Sequence, residues 1–203
     1  MNIVKPSVEI ISPVDMARAI STIVTAARTC YKSKGDNAEK DCDLIRRIIK
    51  REHYSVLEHH SVSVRFIVDR GVSHELVRHR LMAISQESTR YCNYSKGGIS
   101  LVHPDALTDE QRWRRERLYS TIEELYNKEL EEGLQPQTAR GILPNALKTE
   151  LVVTANIREW RHIFKLRTAQ AAHPQMREVM SSLLDQMKER PPLFFEDISN
   201  EQS

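Results

Sequence analysis

Arg78-His79-Arg80 places the tightest constraint on how this chain can fold. Two arginines two residues apart diverge by about 200° on an α-helix, so no helix can offer both to one partner. The backbone must therefore leave helical geometry near Arg80. The region 78–91, Arg-His-Arg-Leu-Met-Ala-Ile-Ser-Gln-Glu-Ser-Thr-Arg-Tyr, must wrap around something rather than run straight. Its donors indicate what. Guanidinium is a fixed cation whose planar fork matches phosphate oxygens, and serine hydroxyls add neutral donors. Three arginines, a histidine and two serines around the short apolar patch 81–84 point to a phosphate-bearing small molecule. A solvated basic face is the plainer reading of any Arg-rich stretch; the two-residue spacing argues against it.

The charge balance sharpens this. The chain has 30 basic and 28 acidic residues, a formal charge of +2. A general nucleic-acid binder carries a clear basic excess, whereas local positive charge suits a small anion. The cysteines Cys30, Cys42 and Cys92 are odd in number, and no pair has Cys-x-x-Cys spacing. They read as reduced thiols of a cytoplasmic protein. No apolar run approaches the roughly 20 residues of a membrane span, and residues 1–6 have no secretory pattern. With 203 residues, no repeat and no low-complexity linker, the expectation is a single domain over 1–203. Six glycines and no Gly-x-Gly-x-x-Gly or Gly-x-x-x-x-Gly-Lys loop argue against dinucleotide-fold or P-loop binding.

Periodicity predicts a strand over 2–11 and a helix opening at Ser12-Pro13, with Met16, Ile20, Ile23, Val24 and Ala27 on its apolar face. A break at Gly35-Asp36-Asn37 precedes a second helix through Leu44, Ile45, Ile48 and Ile49. Val62, Val64, Phe66 and Val68 alternate with Ser61, Ser63, Arg65 and Ile67, the period of a half-buried strand. A short helix opens at Gly71-Val72-Ser73 and ends near Arg80. Thr108 to Gln111 is a capping box for a long helix with an apolar stripe of Trp113, Leu118, Ile122, Leu125, Tyr126 and Leu130, stopped by Gly133. A strand at 151–155 and helices at 157–169 and 174–189 follow, and Pro191-Pro192 ends the last. The class is α+β: a mixed, largely antiparallel sheet covered by helices.

On the 157–169 helix, Trp160, Ile163, Phe164 and position 167 share a face, yet position 167 is Arg167. Either its stem packs while its head escapes to water, or a partly buried guanidinium is aimed at an anion, since an unpaired buried charge is costly. His53, His59 and His60 do not have zinc spacing and no cysteine joins them. A hydrogen-bonding structural role is the reading for His59 and His60. His74-Glu75 with His79 misses the His-Glu-x-x-His pattern by one residue, which excludes a zincin site. No metal is expected.

Arg78-His79-Arg80, seven residues, then Ser88 resembles the Arg-His-Arg-x7-Ser signature of the flavin-dependent thymidylate synthases. The likeness continues in Arg90-Tyr91, in the segment from His53 to Glu58-His59, in Arg140-Gly141-Ile142-Leu143-Pro144, and in Asn156-Ile157-Arg158-Glu159-Trp160 through Leu166-Arg167. It covers about residues 50–195. The resemblance implies a homotetramer with active sites between subunits. It also implies reductive methylation of deoxyuridine monophosphate (dUMP) to dTMP, with 5,10-methylenetetrahydrofolate as one-carbon donor and NADPH reducing bound FAD. Arg167 would be the catalytic side chain, contacting the pyrimidine and favouring its ionised form at N3. The nucleotide would be held by Glu75, Leu76, Val77, Arg78, Gln86, Glu87, Ser88, Thr89, Arg90, Arg140 and Arg167, with Arg90 as the phosphate fork. FAD would lie against His53, Ser55, Arg78, His79, Arg80, Gln86, Asn156, Ile157, Arg158 and His162. His162 departs from members with asparagine there but still donates a hydrogen bond. Ser88 reads as an orienting donor and Cys92 as an inert thiol, since nothing adjacent activates either. The partners are small molecules, with no nucleic acid and no membrane. Two other readings are a non-catalytic nucleotide- or RNA-binding module using the 78–90 loop and a flavoprotein acting on another pyrimidine nucleotide. The first is disfavoured by 6% aromatic content, because single-strand binders need stacking platforms.

Overall fold

The computed structural model describes residues 1–12, 15–33, 37–104, 106–189 and 192–199. Along the chain lie β1 (Asn2–Val4), β2 (Ser7–Ile10), α1 (Met16–Tyr31), α2 (Ala38–Lys50), a 3-10 turn (Tyr54–His59), β3 (Ser61–Asp69), α3 (Arg70–Leu76), β4 (Met82–Gln86) and β5 (Ser100–Val102). Then come α4 (Asp109–Glu131), α5 (Pro136–Ala139), a second 3-10 turn (Arg140–Ile142), β6 (Lys148–Asn156), α6 (Ile157–Arg167), α7 (Pro174–Glu189) and α8 (Pro192–Phe195). The fold is α+β, with an antiparallel sheet and helices. One sheet has strand order β2-β3-β6-β4. A separate parallel pair joins β1 to β5, with Asn2 opposite Ser100 and Val4 opposite Val102. The predicted strand over 2–11 is thus two strands, broken at Lys5-Pro6 where proline has no N–H to give a ladder.

The chain divides into two compact units. The first comprises Met1–Ser7, Phe66–Arg78 and Ser85–Leu151; the second comprises Val8–Arg65, His79–Ile84 and Val152–Ser203. β3 alternates as predicted, with Val62, Val64, Phe66 and Val68 all at most 2% exposed. β6 is longer than the predicted 151–155 strand. α3 is capped by Asp69, whose carboxylate accepts from Val72 N, and ends at Leu76, before Arg78.

In the first unit, Ile99, Leu101, Tyr119 and Leu147 form a core with Tyr94, Ile122 and Leu143 packed on it. α4 opens with the predicted capping box of Thr108 and Gln111. Gly133, at φ +96°, follows its end in a conformation that costs glycine little. The predicted stripe on α4 is corrected. Tyr126 is fully buried and Ile122 packs on the core as expected, but Tyr119, outside the predicted stripe, is the other buried residue of this helix, while Trp113, Leu118 and Leu125 are exposed. Leu118 and Leu125 sit one position before each tyrosine, about 100° around the helix, so period alone does not choose between the two faces.

In the second unit, α1 packs on α2 and on the first 3-10 turn, and α6 packs on that turn and on α7. Asp15 caps α1 by accepting from Arg18 N, so the helix starts at Met16 rather than at Ser12-Pro13. Pro13, Gly35, Asp36 and Pro191 lie outside the described residues. Asn37 caps α2, and Pro192 opens α8 at a helix N-terminus that needs no N–H. Trp160 is fully buried, stacks on Phe164 at 6.0 Å, and donates its indole N–H to the Val62 carbonyl at 3.1 Å.

Candidate active site

Three segments of the first unit meet around the 86–90 turn. Gln86 ends β4, and its amide nitrogen donates to Ser73 Oγ at 3.0 Å and to Thr149 Oγ1 at 3.2 Å. Arg140 donates to Thr89 Oγ1 at 3.2 Å, and Arg90 Nε donates to Gln137 Oε1 at 3.1 Å. Neither arginine forms an ion pair among the described residues, so both keep their full charge available to an anion. Ser88 Oγ accepts from Arg90 N at 3.2 Å and its carbonyl accepts from Tyr91 and Cys92, which curls the turn. Glu87 is held from behind. Tyr94 donates to its Oε1 at 2.8 Å, and Lys148 on β6 donates to its Oε2 at 2.9 Å and to Glu150 at 2.7 Å. Burial, then the bond to Glu87, pushes the Tyr94 phenol well above its ordinary range. Burial opposes the Lys148 charge, but its hydrogen bonds to Glu150 and Glu87 outweigh that and raise it. Of the α3 residues expected at the nucleotide, Leu76 is fully buried in the core, Glu75 and Val77 are half-buried, and Arg78 is exposed.

The second unit holds Arg167 at the end of α6. Its Nε–H donates to His79 Nε2 at 2.9 Å, which leaves the imidazole proton on Nδ1. That nitrogen lies 3.9 Å from the buried Glu159 carboxylate, and the His162 ring stands edge-on to His79 at 6.0 Å. Burial first, then the charges of Arg167 and His162, pull His79 down to about 4. His79 is therefore a neutral acceptor at neutral pH for the Arg167 Nε–H. Six residues back on α6, Arg161 is 2% exposed and takes a two-pronged pair with Asp197 at 2.7 and 2.6 Å, with the Phe194 carbonyl as a further acceptor. Sequence reading missed Arg161 and Glu159. Arg161 had a signal: it falls four after Ile157 and three before Phe164, on the buried face.

The second unit also brings together His53, Ser55 and Arg158. They line a cavity of about 480 Å³ with Ala27, Leu44, Ile48, Val56, Tyr54, Glu52 and Cys30. Arg158 bonds Glu58 at 2.5 Å. Asn156 spends its side-chain oxygen on capping α6, and Ile157 is buried with its N–H bonded to the His60 carbonyl. Arg80 and His162 are exposed. His59 and His60 make no ring hydrogen bond among the described residues. They line a second cavity of about 470 Å³ with Asp15, Arg18, Thr22 and Ser61. No group of His, Cys, Asp or Glu among the described residues is placed to hold a metal.

The family model for thymidylate synthase complementing proteins matches residues 14–193. The chain belongs to that family. Among its relatives, the flavin-dependent thymidylate synthase of Geobacter sulfurreducens is 32% identical over 87% of this chain and 81% of its own. That of Pyrococcus furiosus is 31% identical over 85% and 76%. A UMP/dUMP methylase, PolB, from Streptomyces cacaoi bound with 5-Br dUMP has the same fold, with a TM-score of 0.83 and 21% identity over 97% of this chain and 96% of that one. At the 86–90 turn Arg90 and Arg140 rest on neutral partners, and at the end of α6 Arg167 donates to the neutral His79.

Proposed function

We propose that this chain is a flavin-dependent thymidylate synthase that methylates dUMP at C5 to dTMP, with 5,10-methylenetetrahydrofolate as one-carbon donor and NADPH as reductant of FAD. The carrying observation is the pair Arg90 and Arg140, each hydrogen-bonded to a neutral group at one hydroxyl-rich turn. Two guanidinium groups with their charge unspent suit a phosphate dianion. Arg90 is the phosphate fork and Arg140 the second cation. Ser88 and Thr89 add neutral donors, and Gln86 presents its carbonyl oxygen because its amide nitrogen is taken by Ser73 and Thr149. Glu75, Leu76, Val77 and Arg78 complete the nucleotide contacts, with Leu76 contributing backbone; Glu87, both of whose carboxylate oxygens are bound by Tyr94 and Lys148, is left out of them. Arg167 stabilises negative charge as it develops on the pyrimidine, and His79 fixes its direction.

The residues present fit a flavin. The cavity of His53, Ser55 and Arg158 combines apolar walls with polar donors, as a ring system with a polar edge requires. His79, Arg80, Asn156, Ile157 and His162, with Arg78 and Gln86, complete the set we assign to FAD. Bound FAD supplies the reducing equivalents of the reaction; the chain binds, orients and supplies cations. No cysteine nucleophile is required. We further read the chain as a cytoplasmic homotetramer acting on small molecules.

Product analysis by mass spectrometry tests this reading. Protein would be incubated with dUMP, methylenetetrahydrofolate and NADPH, with and without FAD. Thymidylate that forms only with flavin supports it. Folded, flavin-loaded protein that makes no thymidylate overturns it.

A further inference from the structure

We propose that Lys148 is a positioning residue for the nucleotide: it cancels the charge of Glu87, so that a phosphate dianion can approach the 88–90 turn. This rests on the reading of that turn as the nucleotide site and adds to it a residue outside the motif.

The physical problem is a carboxylate in an anion-binding loop. Glu87 immediately precedes Ser88, and its side chain is only 17% exposed, so water screens it poorly. A free carboxylate there would repel the ligand that Arg90 and Arg140 attract. Both Glu87 oxygens are instead taken from the protein side, Oε1 by the Tyr94 hydroxyl and Oε2 by the Lys148 ammonium. The Glu87 backbone N–H is also fixed, donating to the Glu150 carbonyl at 2.8 Å. Glu87 thus enters the strand neighbourhood of β6 by side chain and backbone together, and the turn that follows starts from a defined point. Lys148 bridges Glu87 and Glu150. Of the two carboxylates, Glu150 is the more exposed, at 35%, so Glu87 is the one whose charge depends on Lys148. Tyr94 gives a hydrogen bond but no charge, which leaves neutralisation to the lysine.

The test is a charge-rescue series on the flavin-loaded enzyme, measuring kcat, KM for dUMP, and dUMP affinity by calorimetry. Lys148→Met should raise KM about 10-fold or more while kcat changes little, because an added negative charge opposes binding of the dianion. Glu87→Gln in the Lys148→Met background should return KM to within about threefold of wild type. Lys148→Arg, which keeps the charge, should stay near wild type. An unchanged KM in Lys148→Met overturns the proposal. A raised KM that Glu87→Gln does not recover also overturns it, since packing rather than charge would then carry the effect. If Lys148→Met does not fold, Glu87→Gln with Lys148→Met remains the readout, and weak dUMP binding by that folded double variant overturns the proposal. Should wild type bind dUMP but form no thymidylate, the activity reading fails alone, and the calorimetric series decides the role of Lys148. Wild type that does not bind dUMP sinks both.

Discussion

The two units treat their cations differently. In the first, carboxylates claim Lys148, while Arg90 and Arg140 rest on an amide oxygen and a hydroxyl. In the second, both treatments occur on one helix: Arg161 is closed by Asp197, and six residues later Arg167 leans on neutral His79. A cation locked to a carboxylate spends its field inside the protein. A hydrogen bond to a neutral acceptor, as Arg90, Arg140 and Arg167 each make, fixes direction without cancelling charge. By this contrast, more than by burial, we separate the arginines assigned a structural role from those proposed for the ligand.

The strongest way to break this contrast is at α6. Arg167→Ala should reduce turnover by about 10²–10³, the usual cost of a missing electrostatic stabiliser, with the melting temperature nearly unchanged. A near-normal rate would remove Arg167 from catalysis. Arg161→Ala should do the opposite. It strands Asp197, and because that carboxylate is 45% exposed the loss is below the full cost of breaking a buried pair, about 1–3 kcal/mol by urea denaturation, with kcat retained in the folded fraction. Equal effects of the two substitutions on rate would erase the distinction.

The neutral acceptor itself has a pH signature. Unfolded, His79 protonates near 6.5; folded, it stays neutral to about 4. Between those values the unfolded chain binds a proton that the folded chain does not. Stability from this residue is therefore intact above pH 6.5 and declines as pH falls toward 4. His60 and His103, both lowered first by burial, act in the same sense. Melting temperatures from pH 7.5 to 5 should fall, and less steeply in His79→Gln; an identical slope in the variant would rule His79 out as a contributor. The smallest effect is expected at Cys92, a half-buried thiol beyond the turn. Cys92→Ala should keep turnover, and inactivity with an intact fold would overturn the cysteine-free route.

Local chemistry made much of this readable in the sequence. β3 declared itself by period, α4 by its capping box, and Arg167 by standing where the apolar face of α6 called for a hydrophobe. The departure from helix before Arg80 followed from spacing, although α3 stops earlier, at Leu76. What stayed hidden depends on contacts between distant residues. Lys148 reaches Glu87 across 61 residues and Arg161 reaches Asp197 across 36; nothing in a linear pattern couples them. β4 and β5 escaped because one lies in the Arg-rich segment, read for its donors, and the other is three residues long. On α4 two neighbouring apolar faces competed; Tyr126 was read correctly, but the tertiary core took Tyr119 and left Leu118 and Leu125 exposed.

The two tryptophans give the molecule two natural optical probes. Trp113, in the first unit, is 56% exposed beneath the Arg117 guanidinium, whereas Trp160, in the second, has no exposed surface. Aqueous quenchers should therefore silence one emitter and spare the other. In a Trp113→Phe protein the remaining fluorescence would report the surroundings of α6 alone, so loosening around Arg167 could be followed separately from events at the 86–90 turn.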